Sequence, residues 1–253
     1  MFERGSQFSP TMAAEGWPKI VILTGAGISA ESGLKTFRDN NGLWEEHSVH
    51  DVATPEAFVR NPELVYRFYN QRRAQLQSDN VKPNAAHIAL AQLESVLPGQ
   101  VLVITQNVDD LHERAGSKHV LHMHGELLSA RCCHSQRRFS MKNQFDGNSR
   151  CKCCTPSQNI RPDIVWFGEM PFYMQEIERS VQEADVFISI GTSGNVYPAA
   201  SLVQIANEYG AHTVELNLAP SEGNDNFLEA YYGLASDVVP NYIKNILRVI
   251  KWS

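Results

Sequence analysis

At 253 residues and ~150 residues per domain, the chain has room for one large domain with a smaller companion. Hydrophobic residues are 43% and charged residues 20%, which excludes a chain too polar to build a core. The net charge of −6 excludes a chain-wide basic surface for nucleic acid or an anionic membrane, and no apolar run reaches the ~18 residues of a membrane helix. Residues 1–17 show no basic start ahead of an apolar stretch, so a secretory leader is not expected.

Residues 19–24 (KIVILT) open the folded part as a short apolar strand that ends in glycines. Helical spacing follows at 62–77, with Pro62 at its start, and at 84–96, with Ala86, Leu90, Leu93 and Leu97 on one stripe. A second strand is predicted at 101–105 (VLVIT) and a short one at 120–123. Further strands are predicted at 185–191 and 213–218, with a helix at 196–209 closed by Gly210 and a last helix at 240–250. Near-continuous apolar strands suit a parallel sheet buried on both faces. The expected architecture is therefore α/β, a Rossmann-like parallel sheet with helices on both faces.

Gly25-Ala26-Gly27-Ile28-Ser29-Ala30 follows the first strand and fits the G-x-G-x-x-G/A pattern. Its glycines permit a tight turn and close approach of backbone to a diphosphate. No acidic residue ends a second strand about 20 residues later; Thr36-Phe37-Arg38-Asp39-Asn40 stands there instead. This departure disfavours a hydride-transfer dehydrogenase. Polar loops also follow the later strands: Gln106-Asn107-Val108-Asp109, Gly191-Thr192-Ser193 and Asn217. Ligands of open α/β sheets sit beyond these strand ends.

The five cysteines fall in two clusters, Cys132-Cys133 and Cys151, Cys153, Cys154. Tight clusters in a large acidic chain point to a metal in a reducing compartment, the cytoplasm by default, rather than to a disulfide scaffold. Residues 126–161 are poor in apolar side chains, so a metal staple substitutes for a core. The expected division is a large domain over 19–125 and 162–253 with the cysteine module, 126–161, inserted; part of the helical region at 40–80 packs with that module. Cys151-x-x-Cys154 keeps one half of a zinc ribbon, but Ser135 stands where the other half needs its second cysteine. Cys132, Cys151 and Cys154 are the expected ligands of one structural zinc. Cys133 or His134 could complete the set, or Cys153 could replace Cys154.

Taken in order, Gly25-Ala26-Gly27-Ile28-Ser29, Thr36-Phe37-Arg38, Thr105-Gln106-Asn107-Val108-Asp109, His124-Gly125, Val165-Trp166-Phe167-Gly168-Glu169 and Gly191-Thr192-Ser193 resemble the sirtuin family of NAD-dependent protein-lysine deacylases. The resemblance runs from about residue 19 to the end. It implies that NAD is cleaved at its nicotinamide bond while an acyl group leaves lysine, giving nicotinamide, free lysine and O-acyl-ADP-ribose. It implies His124 as general base, a role imidazole suits near neutral pH, with His122 structural. It implies that Asn107 and Asp109 orient the nicotinamide ribose and carboxamide. Gly25, Ala26, Gly27, Ser29, Phe37, Arg38, Gln106, Gly191, Thr192, Ser193, Asn217 and Ala235 complete the implied cofactor contacts. Val165, Trp166 and Phe167 are expected along a groove that takes acylated lysines in extended peptides, read mainly through backbone.

Tyr69 and Arg72 lie at i and i+3 on the helix expected at 62–77 and share a face. They match the Tyr-x-x-Arg of class III sirtuins, with Ala53 as the small residue that leaves room for a longer acyl group. An Arg fork and a Tyr hydroxyl suit the distal carboxylate of succinyl- or malonyl-lysine. Bacterial members of the class commonly handle acetyl and succinyl groups alike, so both activities are expected. Arg73 is expected on the solvated face. Mono-ADP-ribosyl transfer and a non-catalytic NAD or ADP-ribose sensor are the rival readings; transfer of label from NAD to protein marks the first, NAD binding without turnover the second. The chain is read as a monomer.

Overall fold

The fold is described from a computed structural model. Residues 16–34, 43–44 and 47–251 are described, with backbone alone at 43, 44, 250 and 251. Strand β1 (Ile20–Thr24) is buried along its whole length and runs into a tight 3-10 turn, Ala26–Ser32. A two-residue ladder, β2 (Leu43–Trp44) with β3 (His47–Ser48), precedes three helices. These are α1 (Val49–Val52), α2 (Pro55–Arg60) and α3 (Pro62–Leu76). The Thr54 and Asn61 side chains cap α2 and α3, each with proline in the first turn, the placement that satisfies a helix start. Helix α4 (Ala85–Val96) is capped by Asn84.

Strand β4 (Val101–Thr105), helix α5 (Leu111–Ala115) and strand β5 (Val120–His122) follow. Strands β6 (Gly125–Cys132), β7 (Arg138–Ser140) and β8 (Ile160–Ile164) form an antiparallel sheet of order β7-β6-β8 that carries the chain through the cysteine module. The chain then returns as α6 (Met174–Gln182), β9 (Val186–Ile190), α7 (Leu202–Glu208), β10 (His212–Asn217), β11 (Glu229–Tyr232) and α8 (Ala235–Lys251).

The main sheet is parallel throughout, in the order β11-β10-β9-β1-β4-β5. Read along the chain this is the 3-2-1-4-5-6 doubly wound order, whose direction of winding reverses between β1 and β9. One face packs on α4 and α8 through Leu90, Leu93, Ile243 and Ile246. The other packs on α6 and α7 through Ile177, Val181, Leu202 and Ala206. Rossmann-like layering is therefore established. No described helix is long and apolar enough to cross a membrane.

Three expectations need correction. The last helix begins at Ala235, not 240, and runs through Pro240. The helix expected at 196–209 is a 3-10 turn at Ala199–Ser201 followed by α7, because Pro198 and the loop before it delay the start. Arg73 is not on a solvated face: it is 1% exposed. Its Nε donates to the Leu127 carbonyl, its Nη1 donates to Asn70 Oδ1, and its guanidinium covers the Phe145 ring at 4.7 Å. Arg73 thus ties α3 to β6 and to the cysteine module. Tyr66 adds a 2.7 Å hydrogen bond to the Ile160 carbonyl, and Asn70 one to the Phe145 carbonyl.

Candidate active site

Strands β1 and β9 are neighbours in the sheet, so the loops that leave their carboxyl ends meet at the point where the winding reverses. Gly25 N–H donates to the Ile190 carbonyl, and Gly27 N–H to the Gly191 carbonyl. A Cβ on Gly27 would sit 2.7 Å from Gly191 Cα, so only glycine allows the two loops this approach. Thr192, Ser193 and Asn217 line the β9 and β10 side, where the Asn217 amide donates to the Thr192 carbonyl at 2.8 Å. Ala235 opens α8 beside this cluster, and the next residue, Ser236, binds the Glu31 carboxylate through both its N–H and its hydroxyl.

On the β4 side, Ser29, Asn107 and Asp109 form one buried network. The Ser29 hydroxyl donates to Asp109 Oδ2 at 3.0 Å, and the Asn107 amide donates to the Gly25 carbonyl at 3.1 Å and to Ser29 Oγ at 3.2 Å. Asp109 Oδ1 accepts the Leu111 N–H, and Thr105 Oγ1 accepts the Asn107 N–H. Burial raises the Asp109 carboxyl to about 6, against the pull of its bonds to Leu111 and Ser29. Phe37 and Arg38 lie outside the described residues, as does Thr36.

His124 sits in the turn between β5 and β6, whereas His122 ends β5; the two do not share one strand. His122 is engaged on both nitrogens, by the Asn107 carbonyl and by Glu113. His124 Nδ1 pairs with the Gln106 carbonyl at 3.1 Å, which places it one residue from Asn107. A carbonyl only accepts, so Nδ1 carries the proton and Nε2 keeps its lone pair. Burial pushes the imidazole below its ordinary 6.5, with the Gln106 bond opposing. Gly125 fixes this turn: its φ is +86°, and a Cβ there would overlap the Asp163 carbonyl.

Residues 165–167 run as a strap across this corner. Val165 N–H donates to the His124 carbonyl, and Phe167 N–H donates to the Ala53 carbonyl at 3.0 Å. Phe167 is 52% exposed, whereas Trp166 is 2% exposed and points into the core. There Ala53, Tyr69 and Trp166 share one apolar cluster with Val52, Leu127 and Ile164. Tyr69 is fully buried, which drives its phenol above the ordinary range. Arg72 is half-buried one turn on, its guanidinium 5.0 Å from the Phe68 ring centroid.

The cysteine module gathers four thiols. Cys132, Cys151, Cys153 and Cys154 place their sulfurs within 4.8 Å of one another. Two of the separations, 3.7 Å for Cys132–Cys154 and 3.8 Å for Cys153–Cys154, match the edge of about 3.8 Å that four sulfurs ~2.3 Å from zinc would define. Cys153 therefore joins Cys154 instead of replacing it, and exposed Cys133 lies outside the group. Ser135 is 3.1 Å from Cys153 Sγ. Backbone N–H groups of Ser135 and Gln158 donate to Cys132 and Cys151, bonds that favour thiolates. The donor set fits a soft divalent metal. The sequence offered Cys153 only in place of Cys154, whereas the two stand together in the group; a serine at a ligand position beside a surplus cysteine was the signal.

Residues 25–198 match the Sir2 family model. An NAD-dependent protein deacylase of Pasteurella multocida (strain Pm70) is 59% identical over 229 residues, 90% of this chain and 98% of its own length. A solved Sir2 homolog–NAD complex is 39% identical with a TM-score of 0.81, covering 92% of this chain and 90% of that one. A Sir2–p53 peptide–NAD+ complex is 30% identical with a TM-score of 0.72, covering 93% and 94%. With the family model spanning residues 25–198 and a relative 59% identical over 90% of the chain, the chain belongs to the Sir2 family.

Proposed function

We infer that this chain is an NAD-dependent protein deacylase that removes acetyl and succinyl or malonyl groups from lysines in extended peptides. The observation that carries the reading is the placement of His124 against Gln106, one residue from the Asn107–Asp109–Ser29 network. NAD fits the cleft where the β1 and β9 loops meet. Gly25, Gly27 and Gly191 leave backbone within reach of a diphosphate. Ser29, Asn107, Asp109, Thr192, Ser193 and Asn217 offer the hydroxyl, amide and carboxylate groups that ribose and carboxamide require.

When bound, NAD supplies the ADP-ribosyl group that takes the acyl group from lysine as nicotinamide leaves. The protein's own part is positional and acid–base. Asn107 and Asp109 orient the ribose end. His124 Nε2 takes the proton of a ribose hydroxyl, and its Nδ1–H stays on the Gln106 carbonyl throughout. Val165 and Phe167 border the path of the peptide. The solved relative with a p53 peptide and NAD+ supports a protein substrate.

At the acyl end, Arg72 and Tyr69 hold the distal carboxylate of succinyl- or malonyl-lysine, with Ala53 leaving room beside them. One structural zinc on Cys132, Cys151, Cys153 and Cys154 staples residues 126–161 as a module within the large domain. Reduced thiolate ligands suit a cytoplasmic protein. The test is the mass of one peptide, carried as acetyl-lysine and as succinyl-lysine, after incubation with and without NAD. Both acyl groups leaving only with NAD supports the reading; neither leaving while NAD binds defeats it.

A further inference from the structure

Four residues of the strap and its approach form a closed set of contacts that ends on Tyr69. Arg161, near the start of β8, pairs with Glu169 through two bonds, Nη1 to Oε1 at 2.7 Å and Nη2 to Oε2 at 2.9 Å. Its Nη2 also donates to the Ile164 carbonyl, and Glu169 Oε2 accepts the Trp166 N–H. The guanidinium thus held lies over Trp166, its carbon 3.3 Å from the ring centroid. A planar cation fixed on both sides is a rigid backing for an indole. Phe58 contacts the same indole at a centroid distance of 5.2 Å.

The indole has one polar atom, and it points at Tyr69: Trp166 Nε1 is 3.0 Å from the phenol oxygen. Trp Nε1–H can only donate, so the Tyr69 oxygen accepts there and its own O–H proton is directed away from Trp166. Carboxylates only accept, so they are served by a phenol that presents its proton. An acetyl group carries no such acceptor at its far end.

We propose that Trp166, aimed by the Arg161–Glu169 clamp, is a positioning residue that orients the Tyr69 hydroxyl and so sets the preference for acyl groups ending in a carboxylate. The proposal rests on the reading of Tyr69 and Arg72 given above. It makes acyl preference depend on the strap as well as on the helix that carries the carboxylate-binding pair. It also gives Trp166 a task that a purely apolar filler of the same shape could not perform.

Trp166→Phe removes the N–H and keeps an aromatic ring under Arg161. It is compared with Tyr69→Phe and with the double variant, on one peptide carried as acetyl- and succinyl-lysine. The expected result is a fall of about tenfold in the succinyl-to-acetyl ratio of kcat/KM, carried by KM for the succinyl peptide. In the Tyr69→Phe background the same change adds less than about twofold. Arg161→Lys, which keeps the charge and loses the fork, shifts the ratio the same way and serves if Trp166→Phe does not fold. Equal losses on both acyl groups, or a full further loss in the Tyr69→Phe background, would overturn the proposal. A ratio unchanged by Tyr69→Phe alone would defeat the carboxylate role of Tyr69 itself, and the proposal with it.

Discussion

His124 Nδ1 lies 3.1 Å from the carbonyl oxygen of Gln106, and Gln106 immediately precedes Asn107 in the loop that follows β4. The hydrogen bond fixes the tautomer of the imidazole and binds it to the loop proposed to orient the ribose. Replacing His124 by Tyr keeps a ring of similar reach and loses the base. NAD-dependent deacylation is expected to fall by about 100-fold or more, while the thermal midpoint moves by only a few degrees. Turnover within a few-fold of the wild type would remove His124 from the reaction.

The pH dependence follows from two buried groups that protonate on the same side of neutrality. With the proposed roles, the reaction requires His124 neutral and Asp109 ionised. Burial lowers the first below 6.5 and raises the second to about 6. Both conditions hold at pH 7 and above; Asp109 takes up its proton as pH falls through about 6, and His124 stays neutral to lower pH than a free imidazole would. A profile of kcat/KM is expected to be level from pH 7 to 8 and to drop below about pH 6 as Asp109 protonates. A profile still level at pH 5 would contradict this assignment.

Arg72 and Arg73 are adjacent in sequence, and Arg72 is proposed to bind the acyl carboxylate whereas Arg73 is buried in the fold. Arg72→Met is expected to cut desuccinylation far more than deacetylation, read as the ratio of kcat/KM on paired peptides. Arg73→Met leaves the Leu127 carbonyl and Asn70 without their buried donor. Its cost is expected in denaturant unfolding, about 2 kcal/mol, with the two acyl activities falling together. A selective loss of desuccinylation in Arg73→Met would show that the two roles had been exchanged.

The thiol cluster predicts the metal content of single variants. Protein purified without chelator is expected to carry about one zinc per chain. Cys153→Ser should lower that figure clearly, whereas Cys133→Ser should not. Ser135→Cys in the Cys153→Ser background should restore it, since residue 135 borders the Cys153 sulfur at 3.1 Å. Full zinc occupancy in Cys153→Ser would return the fourth ligand to another group.

The sequence announced strands β1, β4 and β9 because both faces of each are covered and the runs are almost unbroken in apolar residues. Edge strand β11 did not announce itself: only Glu229 is buried and the next three residues are exposed. Strands β6 and β8 hold serine, arginine, proline and aspartate, whose partners are supplied by distant residues. The start of α8 was hidden by Pro240, which reads as a helix boundary until the packing of the preceding turn overrides it. The paired glycine loops, Asn107 and Asp109 were legible as loops that follow strand ends, whereas His124 was singled out by the family resemblance. The burial of Arg73 was not, since Arg72 and Arg73 differ only in which side of α3 they occupy.

The most direct measurement follows nicotinamide and O-acyl-ADP-ribose together in one reaction with a succinyl-lysine peptide and NAD. The account predicts equal amounts of the two products, matched by free lysine in the peptide, and neither product in the His124→Tyr variant. Nicotinamide released with ADP-ribose attached to protein, and the succinyl group still on lysine, would contradict it.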